Sequence, residues 1–456
     1  MTKTATNLGT EKIGKLLVKL AIPAIIAQLV NVLYNIVDRI FIGKMADGEI
    51  AMAGVGVAFP IIMLISAFSA LVGAGGAPLA AIKMGENDME GANKIMSNAI
   101  VILISLSLIL TTGFMVFKEP ILYAFGASDV TIAYGLDYLN IYLIGTIAVQ
   151  ISLGMNLFII TQGFAKTAMF TVTLGAGLNI ALDPIFIFGF NMGVKGAALA
   201  TIISQFASAT WILVFIFGKK SKLKIRKKYL KVDCKIFVSI ISLGVSPFIM
   251  QATECLVVVV MNTNLLKYGG DLAISMMTIM SSIMQIIFLP CFGIAHGAQP
   301  ITSYNYGAKD YDRVRKAINL QFIISFTYAF LLSSALALFP EVFVHIFNSD
   351  PSLIEMGSWC IPLYFRGMFI FGAQIACQQA FLALGKSKIS LILALLRKVV
   401  LLVPLAYIIP LFYDNNPDKL TGLFTAEPVA DALAAITTFT CFVIFYKNNL
   451  MKSTKI

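Results

Sequence analysis

Long stretches of this sequence carry no charge. Residues 101–117, 239–251 and 321–340 contain neither Asp, Glu, Lys nor Arg, and similar apolar windows recur along all 456 residues. A helix of about 20 apolar residues matches the hydrocarbon thickness of a bilayer. The composition agrees with this reading: hydrophobic residues make up 59% and charged residues 12%, about half the roughly 25% charge of an ordinary soluble domain. Disordered, collagen-like and small disulfide-stapled classes are excluded. The runs do not alternate apolar with polar, which excludes an outer-membrane barrel. The opening segment MTKTATNLGTEKIGK is polar and basic without a cleavage pattern, so no cleaved signal peptide is expected. The six cysteines form no CxxC pair, and all but Cys234 stand in apolar segments, as small core residues do.

Apolar windows predict twelve spans, near 14–38, 50–82, 95–117, 132–158, 167–190, 196–217, 236–266, 272–304, 317–340, 355–382, 389–412 and 428–446. With both termini on one side, that side receives 25 Lys and Arg residues and the other receives 6. The positive-inside rule then places both termini and the basic 219–235 segment in the cytoplasm of a bacterial plasma membrane. That segment reads as a topology signal lying against anionic lipid headgroups, and no nucleic acid partner is expected.

Shifted by 222 residues, the chain aligns with itself at Gly75 and Gly297, Pro78 and Pro300, Gly85 and Gly307, Lys94 and Lys316, Gly135 and Gly357, Tyr142 and Tyr364, Gly145 and Gly367, Gly163 and Gly385, and Lys166 and Lys388. Glycine and proline mark places where backbone geometry matters, so one shared offset argues for two copies of a six-helix unit. Six spans per copy make the repeat parallel, a design suited to a cavity between two lobes. The expected organisation is a lobe at 1–218, a linker at 219–235 and a second lobe at 236–456, acting as a monomer.

An ionisable group at mid-bilayer costs about 2.5–3.5 kcal/mol, so each needs a partner or a function. On the first helix Gln28, Asn31, Asn35 and Asp38 recur at steps of three, four and three, on one face. On the fifth, Asn179 and Asp183 share a face and Pro184 follows, which frees the Ile180 carbonyl as a further oxygen ligand. Such oxygens suit a hard cation or a proton equally. The sixth helix adds Thr201, Ser204, Gln205 and Ser208, which also fit as packing contacts. At offset 222 Asp38 meets Val260, Asn179 meets Leu401 and Asp183 meets Leu405, so the acidic pocket is expected in the first lobe only.

Elsewhere Glu254 shares a face with Gln251, and Gln374 and Gln378 stand in the tenth helix with Arg366. Met276, Met280 and Met284 at steps of four fit either a soft drug-binding wall or core filler. His296 and His345 read as structural or surface residues, no metal-ligand spacing occurs, and Arg397 and Lys398 are expected to snorkel toward the cytoplasmic interface.

The segments LAIPAIIAQLVNVLYNIVDRIFIG, GAGGAPLAAIKMGENDMEGANK, GIAHGAQPITSYNYGAKDYDRVRKA, and LNIALDPIFIFG followed by GVKGAALATIISQ make the chain similar, over essentially its whole length, to the multidrug and toxic compound extrusion (MATE) family. The likeness is closest to the bacterial branch related to the DNA-damage-inducible efflux proteins. It implies a secondary transporter that exports amphipathic, mostly cationic drugs or dyes by antiport against Na+ or H+, with no other cofactor and no catalytic residues. It also implies a cation pocket at Asp38, Asn179, Asp183 and Thr201, and it matches Glu254 to a second-lobe cation-site glutamate. No GxxxxGK[ST] motif occurs to bind ATP. A lipid-linked precursor flippase, which shares the architecture, is the alternative. It would call for several basic residues along the cavity, where helices supply Arg366, Arg397 and Lys398.

Overall fold

A computed structural model describes residues 7–347 and 350–451. Lys3, Lys452 and Lys455, counted above in the charge bias, lie outside the described residues. Among the described residues twelve helices are long and apolar enough to cross a membrane. They are α1 (Ile13–Gly43), α2 (Gly48–Gly85), α3 (Met89–Ala124), α4 (Ile132–Thr161), α5 (Ala165–Gly189), α6 (Val194–Phe217), α7 (Cys234–Gly270), α8 (Leu272–Gly307), α9 (Tyr311–Leu338), α10 (Pro351–Ala383), α11 (Ser387–Phe412) and α12 (Asn416–Met451). Every expected span is present. The last begins earlier than its apolar window, because Asn415 caps α12 by accepting from the Asp418 amide at 2.9 Å.

Outward faces remain strongly apolar, with Leu108, Ile109, Val258, Val259 and Phe412 all exposed. In water such patches would drive association; facing lipid they cost nothing. Each half encloses its own apolar core, around Met96, Leu103 and Phe158 in the first and Met280, Tyr364 and Phe424 in the second.

The repeat explains how the halves meet. A Cβ on Gly85 would overlap the Tyr304 carbonyl, and one on Gly307 would overlap the Ile82 carbonyl. Tyr304 is Ile82 advanced by 222, so the two contacts are symmetry mates. Gly163 and Gly385, another repeat pair, both take positive φ, 88° and 69°, where α4 and α10 end.

These close approaches between α2 and α8 all lie at the end of the bundle that carries the linker. The first turns of α1 seal the same end: Leu16, Leu17 and Leu20 pack with Ile294, Ala298 and Ile301 of α8. Arg313 on α9 donates to the Leu8 carbonyl at 3.0 Å and the Glu11 carbonyl at 2.8 Å, which ties the segment before α1 to the second lobe.

The linker is docked along its length. Gln162 Oε1 accepts from the Lys222 and Leu223 amides at 2.7 and 2.9 Å, Asn93 accepts from the Lys224 amide at 2.6 Å, and Asn98 accepts from the Asp233 amide at 2.7 Å. Buried asparagine and glutamine at the ends of α3 and α4 thus satisfy backbone groups of a polar strand that crosses beneath the first lobe.

Candidate functional site

Sealing one end leaves a cavity of about 600 Å³ between the lobes. Polar side chains from both halves line it. Gln28 and Asn31 come from α1, Asn179 from α5, and Thr201, Ser204, Gln205 and Ser208 from α6. The second lobe contributes Gln251 and Glu254 from α7, His296 and Gln299 from α8, Gln374 and Gln378 from α10, and Arg397 and Lys398 from α11.

The stripe on α1 divides between two spaces. Gln28 and Asn31 face the large cavity, whereas Asn35 and Asp38 face an adjoining one of about 350 Å³, with Tyr138 and Tyr142; Tyr34, Thr201 and Gln205 border both. Asn35 also donates to the Asn31 carbonyl of its own helix at 2.7 Å.

Asn179 is the hub of the first-lobe group. Its Nδ2 donates to Asp183 Oδ1 at 3.2 Å and to Thr201 Oγ1 at 3.3 Å. Asp183 is fully buried, and Asp38 is the neighbouring charge that acts on it. Three acceptor oxygens here have no hydrogen-bond partner among the described residues: Asn179 Oδ1, Asp183 Oδ2 and Asp38 Oδ1. A buried acceptor left unpaired costs roughly 1–3 kcal/mol, more if charged, so the set fits a cation or a proton that would satisfy several of them together. Pro184 stands where α5 passes from an α-helical run into a wider π turn, Ile185–Gly189, which carries the break just past the carboxylate.

The other α6 residues are mixed. Ser208 donates to the Thr171 carbonyl at 3.1 Å, a packing contact, while Gln205 accepts from Ser152 at 2.5 Å. Met280 and Met284 pack in and against the second-lobe core beside Met276, away from the cavity lining; Met63 and Met250 line it instead. Gln378 donates to Met250 Sδ at 3.2 Å. His345 is exposed, and so is Arg366, whereas His296 is on the cavity wall with Nδ1 unpartnered.

Two expectations require correction. Arg397 and Lys398 do not reach for the interface. Arg397 Nε donates to Asp431 at 2.6 Å, and its Nη2 lies 3.4 Å from Glu427. Its guanidinium also sits 4.7 Å over the Phe371 ring. Lys398 is ion-paired with Glu254. Snorkelling needs a helix end within reach of water; here buried carboxylates are closer, and a π turn over Leu396–Leu402 turns both consecutive cations inward.

The second correction concerns the acidic groups, which are not confined to the first lobe. Glu427 lies one residue before the apolar window at 428–446 and Asp431 within its first turn, and hydropathy alone marks neither as a partner for Arg397. The signal was nevertheless present: two acids four apart around Pro428, resembling Asn179, Asp183 and Pro184.

The MatE family model matches the chain twice, over residues 23–185 and 247–408. The multidrug export protein MepA of Staphylococcus aureus (strain NCTC 8325 / PS 47) is 26% identical over 424 residues, covering 92% of each chain. MepA of Staphylococcus haemolyticus is 25% identical over 438 residues, 96% of this chain and 94% of that one. Among solved structures, a MATE protein in the bent conformation matches with a TM-score of 0.91 over 98% of both chains at 24% identity. An outward-facing multidrug resistance MATE transporter of the MOP superfamily matches at 0.90 over the full length of both. Twelve spans, a twofold repeat, a cavity between the halves and two family matches in register with that repeat lead to one conclusion: this chain belongs to the MatE family of multi-pass membrane transporters, in its MepA-like branch, and is not an enzyme.

Proposed function

We propose that this protein exports amphipathic, mostly cationic small molecules by antiport against Na+ or H+, with the coupling ion held at Asp38, Asn179, Asp183 and Thr201. The observation that carries the reading is the set of three unpartnered buried oxygens, two of them carboxylate, in a group whose Asn179 borders a cavity large enough for a drug-sized molecule and whose Asp38 borders the adjoining one. When present, the ion offsets one of the two carboxylate charges and relieves their mutual repulsion. Asn179 holds Asp183 and Thr201 in one group, and the π turn after Pro184 carries the local break that makes room. An ion with unequal affinity for the two openings of the cavity biases their populations by that difference alone.

Both termini and the 219–235 linker are cytoplasmic in this reading, so the sealed end faces the cytoplasm and the cavity opens outward. The lobes at 1–218 and 236–456 rock about their contact, each chain working as a monomer in lipid. The export name of the MepA relatives supports the direction of transport. A flippase for pyrophosphate-linked lipids fits less well, because Arg397 and Lys398 are already engaged by carboxylates. The deciding experiment is ethidium efflux from vesicles under separately imposed Na+ and pH gradients. Efflux driven by one gradient supports the reading, and efflux indifferent to both refutes it.

A further inference from the structure

The charged groups among the described residues lining the large cavity are Glu254, Arg397 and Lys398, and they are not equivalent. Arg397 is locked: two carboxylates bind it and Phe371 stacks beneath it. Lys398, on a flexible four-carbon stem, is ion-paired with Glu254. Its own side chain is 10% exposed, whereas that of Glu254 is 42% exposed, toward the cavity. The carboxylate is therefore open to a ligand while its partner is sheltered behind it.

We propose that Glu254 is the acceptor for the positive group of a substrate and that Lys398 is its tethered counter-ion, which a substrate cation must displace. Three features support an exchange over a fixed bridge. Glu254, Glu427 and Asp431 against Arg397 and Lys398 leave the cluster one positive charge short, so an incoming cation completes it. Asp431 is 1% exposed and its Oδ2 has no partner among the described residues. Lys398 already lies in the field of Glu427 and Asp431, so the displaced ammonium has an acceptor waiting in the same cluster.

The third feature is the repeat. Advanced by 222, Val32, Gly175, Ala176, Gln205 and Ala209 become Glu254, Arg397, Lys398, Glu427 and Asp431. Packing common to both halves asks for no charge at these places, so the cluster is an addition to the second lobe. When a substrate leaves, Lys398 returns to Glu254 and competes with rebinding. The tether makes this competition independent of ions in solution.

This inference rests on the cavity being the seat of a cationic substrate, and the test separates the two. The full chain in lipid nanodiscs is titrated with tetraphenylphosphonium, and with neutral triphenylphosphine oxide as a control for apolar fit. If Lys398 occupies Glu254 about nine-tenths of the time, Lys398→Gln should bind the phosphonium about tenfold more tightly. Glu254→Gln should lose most of the binding, the double variant should behave as Glu254→Gln, and Lys398→Arg should stay near wild type. The neutral probe should not distinguish them.

A wild type that exports ethidium while Lys398→Gln gains no phosphonium affinity overturns the counter-ion and leaves the transport reading standing. If no form binds the phosphonium and the wild type exports no ethidium, both fall. Should Lys398→Gln fail to fold, Glu254→Gln decides alone, and unchanged phosphonium binding there overturns the proposal.

Discussion

Asp183→Asn tests the proposed ion site most directly. The change keeps side-chain volume and can keep the bond from Asn179, now 3.2 Å to Oδ1, so the local geometry has no reason to collapse. It removes a fully buried charge, which relieves a desolvation cost instead of adding one, and membrane abundance should stay near that of the wild type. What is lost is one charged acceptor for the ion. An interaction of that kind contributes roughly 1.5–3 kcal/mol, so Na+ binding should weaken about ten- to hundredfold.

The ion's competition with protons should change as well. A proton on either carboxylate removes part of what Na+ binds, so radioactive sodium binding to the purified protein should strengthen as pH rises. In Asp183→Asn that slope should flatten, and Asp38→Asn should do the same, because a single carboxylate remains. Dye efflux under an ion gradient should fall to background in both. Full-rate pumping by Asp183→Asn, wild-type sodium binding indifferent to pH, or a wild-type pH slope retained in either variant would show that these oxygens hold no coupling ion.

Leu405, the repeat partner of Asp183, should accept Met with little loss of efflux, since its position serves packing alone. Arg397→Met should destabilise the protein by about 3–5 kcal/mol by stranding Glu427 and Asp431, and a second change, Asp431→Asn, should recover part of the lost melting temperature. Gly307→Leu should spread α2 from α8 and slow transport of every substrate alike, which spin labels across the sealed end would report as a longer distance. In a Cys234→Ser background, Lys220→Cys should react with a membrane-impermeant maleimide from the cytoplasm and Asp414→Cys from outside; the opposite pattern overturns the assigned orientation.

The fold was legible because hydropathy and glycine spacing are local and periodic. All twelve spans and the offset of 222 can be read without knowing which helices touch. The first-lobe group was legible for a related reason: Asn179 and Asp183 stand one helical turn apart, and their bond is intrahelical. The pairing of Arg397 with Asp431 and of Lys398 with Glu254 was not legible. These contacts join α11 to α12 and α7, and nothing in the spacing of one helix announces a partner on another. The π turn at Leu396–Leu402 hid them further, because an ideal helix would turn consecutive residues about 100° apart. The docking of the linker is not legible either, because its charge marks a lipid-facing segment while the side chains that hold it, Asn93, Asn98 and Gln162, are uncharged and lie far away in sequence.

Two lobes built on one pattern therefore hold their charges in different ways. The first-lobe group leaves Asp38 Oδ1, Asn179 Oδ1 and Asp183 Oδ2 without a partner among the described residues, so an external ion gains most by entering there. The second supplies its own cations, and a newcomer at Glu254 gains only the difference between itself and Lys398. An ion as small as Na+ can fit among the first set and has little advantage over a tethered ammonium at the second. A bulky organic cation cannot enter the fully buried surroundings of Asp183, but it can meet Glu254 while its apolar body lies along Phe288 and Phe371 on the cavity wall. In the proposed mechanism the two lobes would thus sort ion from substrate by size and by what each carboxylate already holds, and coupling would require only that both depend on the same rocking of the halves.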